Sequence, residues 1–213
     1  MNYRQMGASG LRLSTIGLGS YLTIGYKCDE KTSRDTIHAA YDGGVNFFDT
    51  ANAYHLGEGE TALGKTLKDL PRESLAVLTK VWAPMGDGPN DRGLSAKHIV
   101  EQCHASLRRL QMDYVDVYMC HRPDPSVPLE ETVRALEGLA QQGKILYWGV
   151  SEWPAAVLKD WNPKRDFSFA MLHAERLPRL LADELICELL LEQAKQSPER
   201  RSILERYIDR AEP

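Results

Sequence analysis

The sequence is poor in the features that mark several large classes of protein. Its four cysteines, Cys28, Cys103, Cys120 and Cys187, are irregularly spaced and form no CxxC pair. That speaks against a disulfide framework or a zinc site and fits a reducing compartment. No apolar run approaches the roughly 20 residues that span a bilayer, so membrane insertion is not expected. The opening run Met1-Asn2-Tyr3-Arg4-Gln5-Met6-Gly7 contains no apolar core of a signal peptide, and a cytoplasmic location is the expectation. Positive charge is not in excess: the net charge is -4, and nucleic acid, whose binders carry a basic patch or stripe, is not an expected partner. Glycine disappears partway along. All 16 glycines lie at or before Gly149 in a chain of 213 residues. Apolar residues make up 43% of the sequence, as in ordinary soluble proteins, and the length suffices for one sizeable domain.

Before Gly149 the pattern is regular. Tyr3-Arg4-Gln5-Met6 and Leu11-Arg12-Leu13 flank Gly7-Ala8-Ser9-Gly10 and predict a short hairpin. Strand-like runs then follow at 16–19, 45–49, 75–80, 114–120 and 145–150. Between them lie helical patterns at 31–42, 58–70, 95–110 and 129–142, with Ser95 as an N-cap and Gly143 as a C-terminal stop. This βαβα repetition predicts a parallel sheet. The pattern fails after about Trp161. Only 167–172 could be a strand, and two apolar stripes follow, one of Leu185, Ile186, Leu189 and Leu190, the other of Ile203, Leu204, Tyr207 and Ile208. The division expected is a partial barrel over 1–160 and a helical tail over 161–213. At roughly 30 residues per βαβ unit, three further units do not fit in the tail.

Four polar residues stand at or just beyond strand ends: Asp49, Tyr54, Lys80 and His121. When strands alternate with helices around a barrel, all strand C-termini open onto one face. The four could therefore meet in one pocket. A lysine ammonium about 4 Å from a phenol contributes roughly 4 kcal/mol at an effective dielectric near 20. On that basis it could lower the tyrosine pKa by up to roughly three units, with desolvation acting the other way. An aspartate would hold the lysine charged, and a histidine could hydrogen-bond a substrate oxygen. The set is suited to giving a proton to a carbonyl oxygen while another group supplies hydride. Singly, Asp49 could cap a turn, Tyr54 be a loop aromatic, Lys80 a solvated strand end and His121 a loop start. The run Gly17-Leu18-Gly19-Ser20-Tyr21-Leu22 begins like a dinucleotide fingerprint, but Leu22 occupies the third glycine position. Gly57-Glu58-Gly59 opens an acidic helix start that suits the helix dipole and would repel phosphate.

These residues resemble the aldo-keto reductases. The run from Gly44 to Ala51 with Tyr54, continued by Gly57, Glu60, Leu63 and Gly64, is similar to that family's signature. Arg92-Gly93-Leu94-Ser95, Ala105-Ser106-Leu107, Tyr114-Val115-Asp116-Val117, Arg122-Pro123-Asp124-Pro125, Glu130 to Ala135 and Tyr147-Trp148-Gly149 narrow it. They resemble the branch that holds the potassium-channel β subunits and related bacterial reductases. The resemblance spans roughly residues 2–160. It implies a TIM-type (β/α)₈ barrel and reversible, NADPH-dependent reduction of aldehydes and ketones, with a small carbonyl compound as substrate. It places Asp49, Tyr54, Lys80 and His121 in the catalytic tetrad. Gly19, Ser20 and Tyr21, with Asp49, fall in the segment near the nicotinamide and ribose. Ser151 and Glu152 match the pair at the carboxamide, with Glu152 in place of the family's Asn or Arg.

The family's remaining strands, which carry the grip on the pyrophosphate and the 2′-phosphate, have no counterpart recognised in 161–213. The expectation is therefore an incomplete barrel of about five βα units. It would have open edges through which copies of the chain could pair as a homo-oligomer, and it would bind NADPH weakly. Three readings stay open: a working reductase, an inactive truncated remnant, and a non-catalytic interaction subunit like the channel β proteins.

Overall fold

The computed structural model describes residues 1–154 and Val157. The weak strand expected at 167–172, the two apolar stripes and the boundary at 160 lie outside the described residues. The hairpin forms as β1 (Tyr3–Gln5) and β2 (Arg12–Ser14), paired antiparallel. The alternation then runs β3 (Gly17–Gly19), α1 (Glu30–Asp42), β4 (Phe47–Asp49), α2 (Glu58–Leu67), β5 (Ala76–Val81), α3 (Ala96–Leu110), β6 (Val115–Cys120), α4 (Leu129–Gln141) and β7 (Ile145–Val150). Local chemistry sets the helix starts. Asp29 accepts a hydrogen bond from the Thr32 N–H at 2.6 Å, and Ser95 accepts one from His98 at 3.2 Å. Both satisfy amides that the first helical turn would leave unpaired.

The five strands β3 to β7 form one parallel sheet in the order of the sequence. A doubly wound sheet would reverse direction partway and place helices on both faces. Here the order never reverses, and each helix packs on the next, α1 on α2, α2 on α3 and α3 on α4. Helices therefore line one face, as in the wall of a (β/α) barrel.

Strand pleating sorts the side chains. Val77 and Val81 on β5 and Tyr118 and Cys120 on β6 join the buried cluster beneath the helices. Leu78, Lys80, Val117 and Met119 alternate to the opposite face. Every residue of β5 and β6 is buried, whereas β3 and β7, at the ends of the described sheet, are partly exposed. None of the described helices is long and apolar enough to cross a membrane.

Several motif residues are fastenings of this wall. Asp116 on β6 accepts from Arg72 at 2.7 Å and from the Val77 N–H at 2.8 Å, near the N-terminal end of β5. Asp124 accepts from the Leu94 N–H at 2.9 Å, Glu131 from the Ala96 N–H at 2.9 Å, and Thr132 donates to the Leu94 carbonyl at 3.0 Å. The loops before α3 and before α4 are thereby tied together.

Glu60, in the first turn of α2, is turned inward. It is fully buried, accepting from Thr79 at 2.5 Å and from Arg109 at 2.6 Å. It thus joins α2 to the sheet and to α3.

Candidate active site

A staircase of backbone hydrogen bonds carries the site. In parallel pairing, the residue just past one strand end is held by a carbonyl of its neighbour. Ser20 N–H donates to Asp49 O at 3.0 Å, Asn52 to Lys80 O at 3.1 Å, His121 to Val81 O at 2.9 Å, and Ser151 to Cys120 O at 2.9 Å. Every polar residue expected at a strand end is therefore fixed, through its own backbone or a near neighbour's, to one rim.

Asp49, Tyr54, Lys80 and His121 meet at that rim. Lys80 Nζ donates to both oxygens of Asp49 at 2.7 Å, to the Thr50 carbonyl at 2.9 Å and to the Tyr54 hydroxyl oxygen at 3.2 Å. The His121 ring meets the Tyr54 ring edge-on, with 5.7 Å between centroids. Because the ammonium donates to the phenol oxygen, the phenol's own O–H is left to reach another acceptor.

Thr50 lies in the signature run, but its part in the site comes from a backbone carbonyl, which side-chain chemistry does not mark. Its hydroxyl also accepts from Ser20 Oγ at 2.8 Å, which fixes the β3 rim to the β4 rim. Gly59 lets α2 approach. A Cβ there would lie 3.1 Å from Ser20 Oγ and 3.3 Å from Tyr54 Cβ.

The electrostatics correct one expectation. The Tyr54 phenol is raised well above its ordinary range, not lowered. Burial is the largest cause, and the Asp49 carboxylate adds to it. The lysine charge is largely met by Asp49, so the phenol experiences the pair rather than a bare cation. Tyr54 is accordingly a protonated donor at neutral pH. Burial also lowers Lys80, which Asp49 partly offsets. His121 is pushed down to about 4, first by burial and then by the charges of Lys80 and Arg122. Its imidazole is neutral at neutral pH.

The residues matched to a cofactor site lie around this group. Gly19 is paired opposite Asp49. Tyr21 is 59% exposed and lays its ring 4.9 Å from that of Tyr54. Ser151 is half-buried, and Glu152, at φ 56°, forms an ion pair with Arg122. Arg122 was not a sequence candidate for the site. Its position directly after His121 was the available signal.

Comparison with known proteins fits this geometry. The model of the Aldo/keto reductase family matches residues 15–193. A probable voltage-gated potassium channel subunit beta from Arabidopsis thaliana is 48% identical over 158 residues, 73% of this chain and 48% of its own length. The Oryza sativa subsp. japonica protein of the same description is 48% identical over 76% of this chain and 50% of its own length. A putative one from Schizosaccharomyces pombe is 48% identical over 72% and 46%. This chain thus spans about half the length of the curated relatives it matches. The crystal structure of a thermostable aldo-keto reductase with the inhibitor epalrestat superposes with a TM-score of 0.70 at 31% identity, covering 80% of this chain and 61% of that one.

Proposed function

The chain belongs to the aldo/keto reductase family, and from that premise we propose that it reduces an aldehyde or ketone to the alcohol at the expense of NADPH, with Tyr54 giving the proton. The observation that carries this reading is the contact of Lys80 Nζ with both Asp49 oxygens at 2.7 Å and the Tyr54 hydroxyl at 3.2 Å.

The donor set fits the nicotinamide end of the cofactor. Tyr21 offers an exposed ring and Ser151 a hydroxyl, Gly19 is paired opposite Asp49, and Ser20 follows just past the strand end with its N–H on the Asp49 carbonyl. Glu152 stands at the same rim, held by Arg122. NADPH, when bound, supplies the hydride.

The chain's own residues manage the proton. Tyr54 holds it, because burial and Asp49 keep the phenol un-ionised. Lys80 donates to the phenol oxygen, so charge developing there as the proton leaves meets an ammonium already in place. Asp49 and the Thr50 carbonyl fix that ammonium. Neutral His121 offers a ring nitrogen for the substrate oxygen. The partner implied is a small carbonyl compound.

NADPH oxidation with a reactive aldehyde tests the reading. Tyr54→Phe keeps the fold and loses only the hydroxyl. Turnover is expected to fall by about 10²–10⁴-fold, the usual worth of a general acid. Equal rates in both proteins remove Tyr54 from the role.

A second reading, a non-catalytic subunit of a potassium-channel complex, is favoured by the 48% identity to proteins described as potassium channel subunits. Channel binding, together with no difference between wild type and Tyr54→Phe in NADPH oxidation, would support it.

A further inference from the structure

The turn that carries Tyr54 is left-handed. His55 has φ 51° and ψ 46°, Leu56 has φ 52° and ψ 38°, and Gly57 has φ 95°. Glycine adopts this region freely and histidine with moderate ease, but leucine rarely does. Leu56 is 72% exposed, so burial of its own side chain does not hold the turn. Strain of this kind persists only where neighbours over-determine it.

Those neighbours belong to the loop between β3 and α1. The His55 ring stacks on Tyr26 with 3.7 Å between centroids and 14° between planes. Its Nε2 lies 3.1 Å from the Tyr21 carbonyl oxygen and donates there in the Nε2–H tautomer. Tyr21 in turn lays its ring against Tyr54. Gly25, between the two tyrosines, sits flush on the start of α2. A Cβ there would come within 2.5 Å of the Glu58 carbonyl oxygen. Ile24, buried in the core cluster, anchors the same loop.

We propose that His55 is a positioning residue for Tyr54, a latch between the loop after β3 and the loop after β4 that keeps the left-handed turn closed and the Tyr54 hydroxyl on the Lys80 ammonium. The kinetic consequence rests on the proton-donor reading of Tyr54, whereas the conformational consequence stands without it. Removing the latch releases the turn toward right-handed backbone. Tyr54 is the residue just before that turn, so its ring is the first side chain to move.

The test uses the full chain labelled with ¹³Cζ-tyrosine, the Tyr54 resonance being the one missing in Tyr54→Phe. In His55→Ala and in Tyr26→Ala that resonance shifts or broadens, while amide exchange in β5 and β6 stays as in wild type. In Tyr26→Phe, which keeps the stack, it stays in place. The His55→Ala/Tyr26→Ala double variant is no worse than His55→Ala alone, because His55→Ala already removes the stack. Turnover follows the resonance. In His55→Ala, kcat drops on the order of tenfold to a hundredfold, the scale of a misplaced reacting group, with KM for the carbonyl within about twofold. An unmoved Tyr54 resonance in His55→Ala overturns the latch. Full turnover in Tyr54→Phe would instead remove the proton-donor reading, and the resonance comparison would still decide the latch.

Discussion

Lys80 reaches both carboxylate oxygens of Asp49 at 2.7 Å although the two are not opposite one another in the sheet. Asp49 is paired with Leu78, two residues before Lys80. The offset matters chemically. It carries the ammonium past the end of β4, where it also meets the Thr50 carbonyl and the Tyr54 hydroxyl.

Asp49→Asn removes the counter-charge from a lysine whose side chain is only 9% exposed. Burial already lowers Lys80 and Asp49 opposes that, so the variant's lysine falls further. Breaking a buried pair costs about 3–5 kcal/mol. Asp49 is itself 31% exposed, and a loss of about 2 kcal/mol is expected after that discount. Urea unfolding of the two proteins at neutral pH measures it. A loss below about 0.5 kcal/mol, the range of ordinary surface changes, contradicts it.

His121 makes the fold acid-sensitive. Its pKa is 6.5 in an unfolded chain and about 4 here. Between those values the unfolded chain binds a proton that the folded one refuses, so stability declines as pH falls through this window. His121→Asn removes that contribution. The variant should lose less stability than wild type between about pH 7 and about pH 5, read from urea midpoints at each pH. Parallel losses in both proteins would show that His121 is not the group responsible.

Arg109 is the counter-ion of fully buried Glu60. Arg109→Met leaves that carboxylate without its ion-pair partner and should cost about 3–5 kcal/mol. Adding Glu60→Met should recover much of it, because an apolar pair replaces the buried charges. If the double variant is as unstable as the sum of the single ones, the two side chains do not act as a pair.

The thiols should differ in reactivity. Burial pushes Cys103 and Cys120 up to about 12, leaving almost no thiolate at neutral pH. Cys28 is partly exposed. Brief treatment of native protein with iodoacetamide should label Cys28 well before Cys103 or Cys120, as mass spectrometry of the peptides would show. Equal labelling would mean that the helix layer opens on the labelling timescale.

Element order was determined by the sequence. The alternation of strand-like runs with helical stripes dictates a parallel sheet, because parallel neighbours need a crossover. Parallel strands put all their C-terminal ends on one rim, and the sequence alone therefore placed Asp49, Tyr54, Lys80 and His121 together. It could not set the register that offsets Asp49 from Lys80, since period-two patterning fixes the face and not the partner. Nor could it give the direction in which Tyr54 titrates. That depends on how far the phenol is desolvated and on which group takes the lysine's charge. That Glu60 forms a buried ion pair was also beyond the sequence, because Arg109 lies far along the chain and only packing of α2 on α3 brings them together. The left-handed turn at His55 and Leu56 was likewise decided in three dimensions, since neither residue prefers that backbone and the contacts that hold it come from another loop.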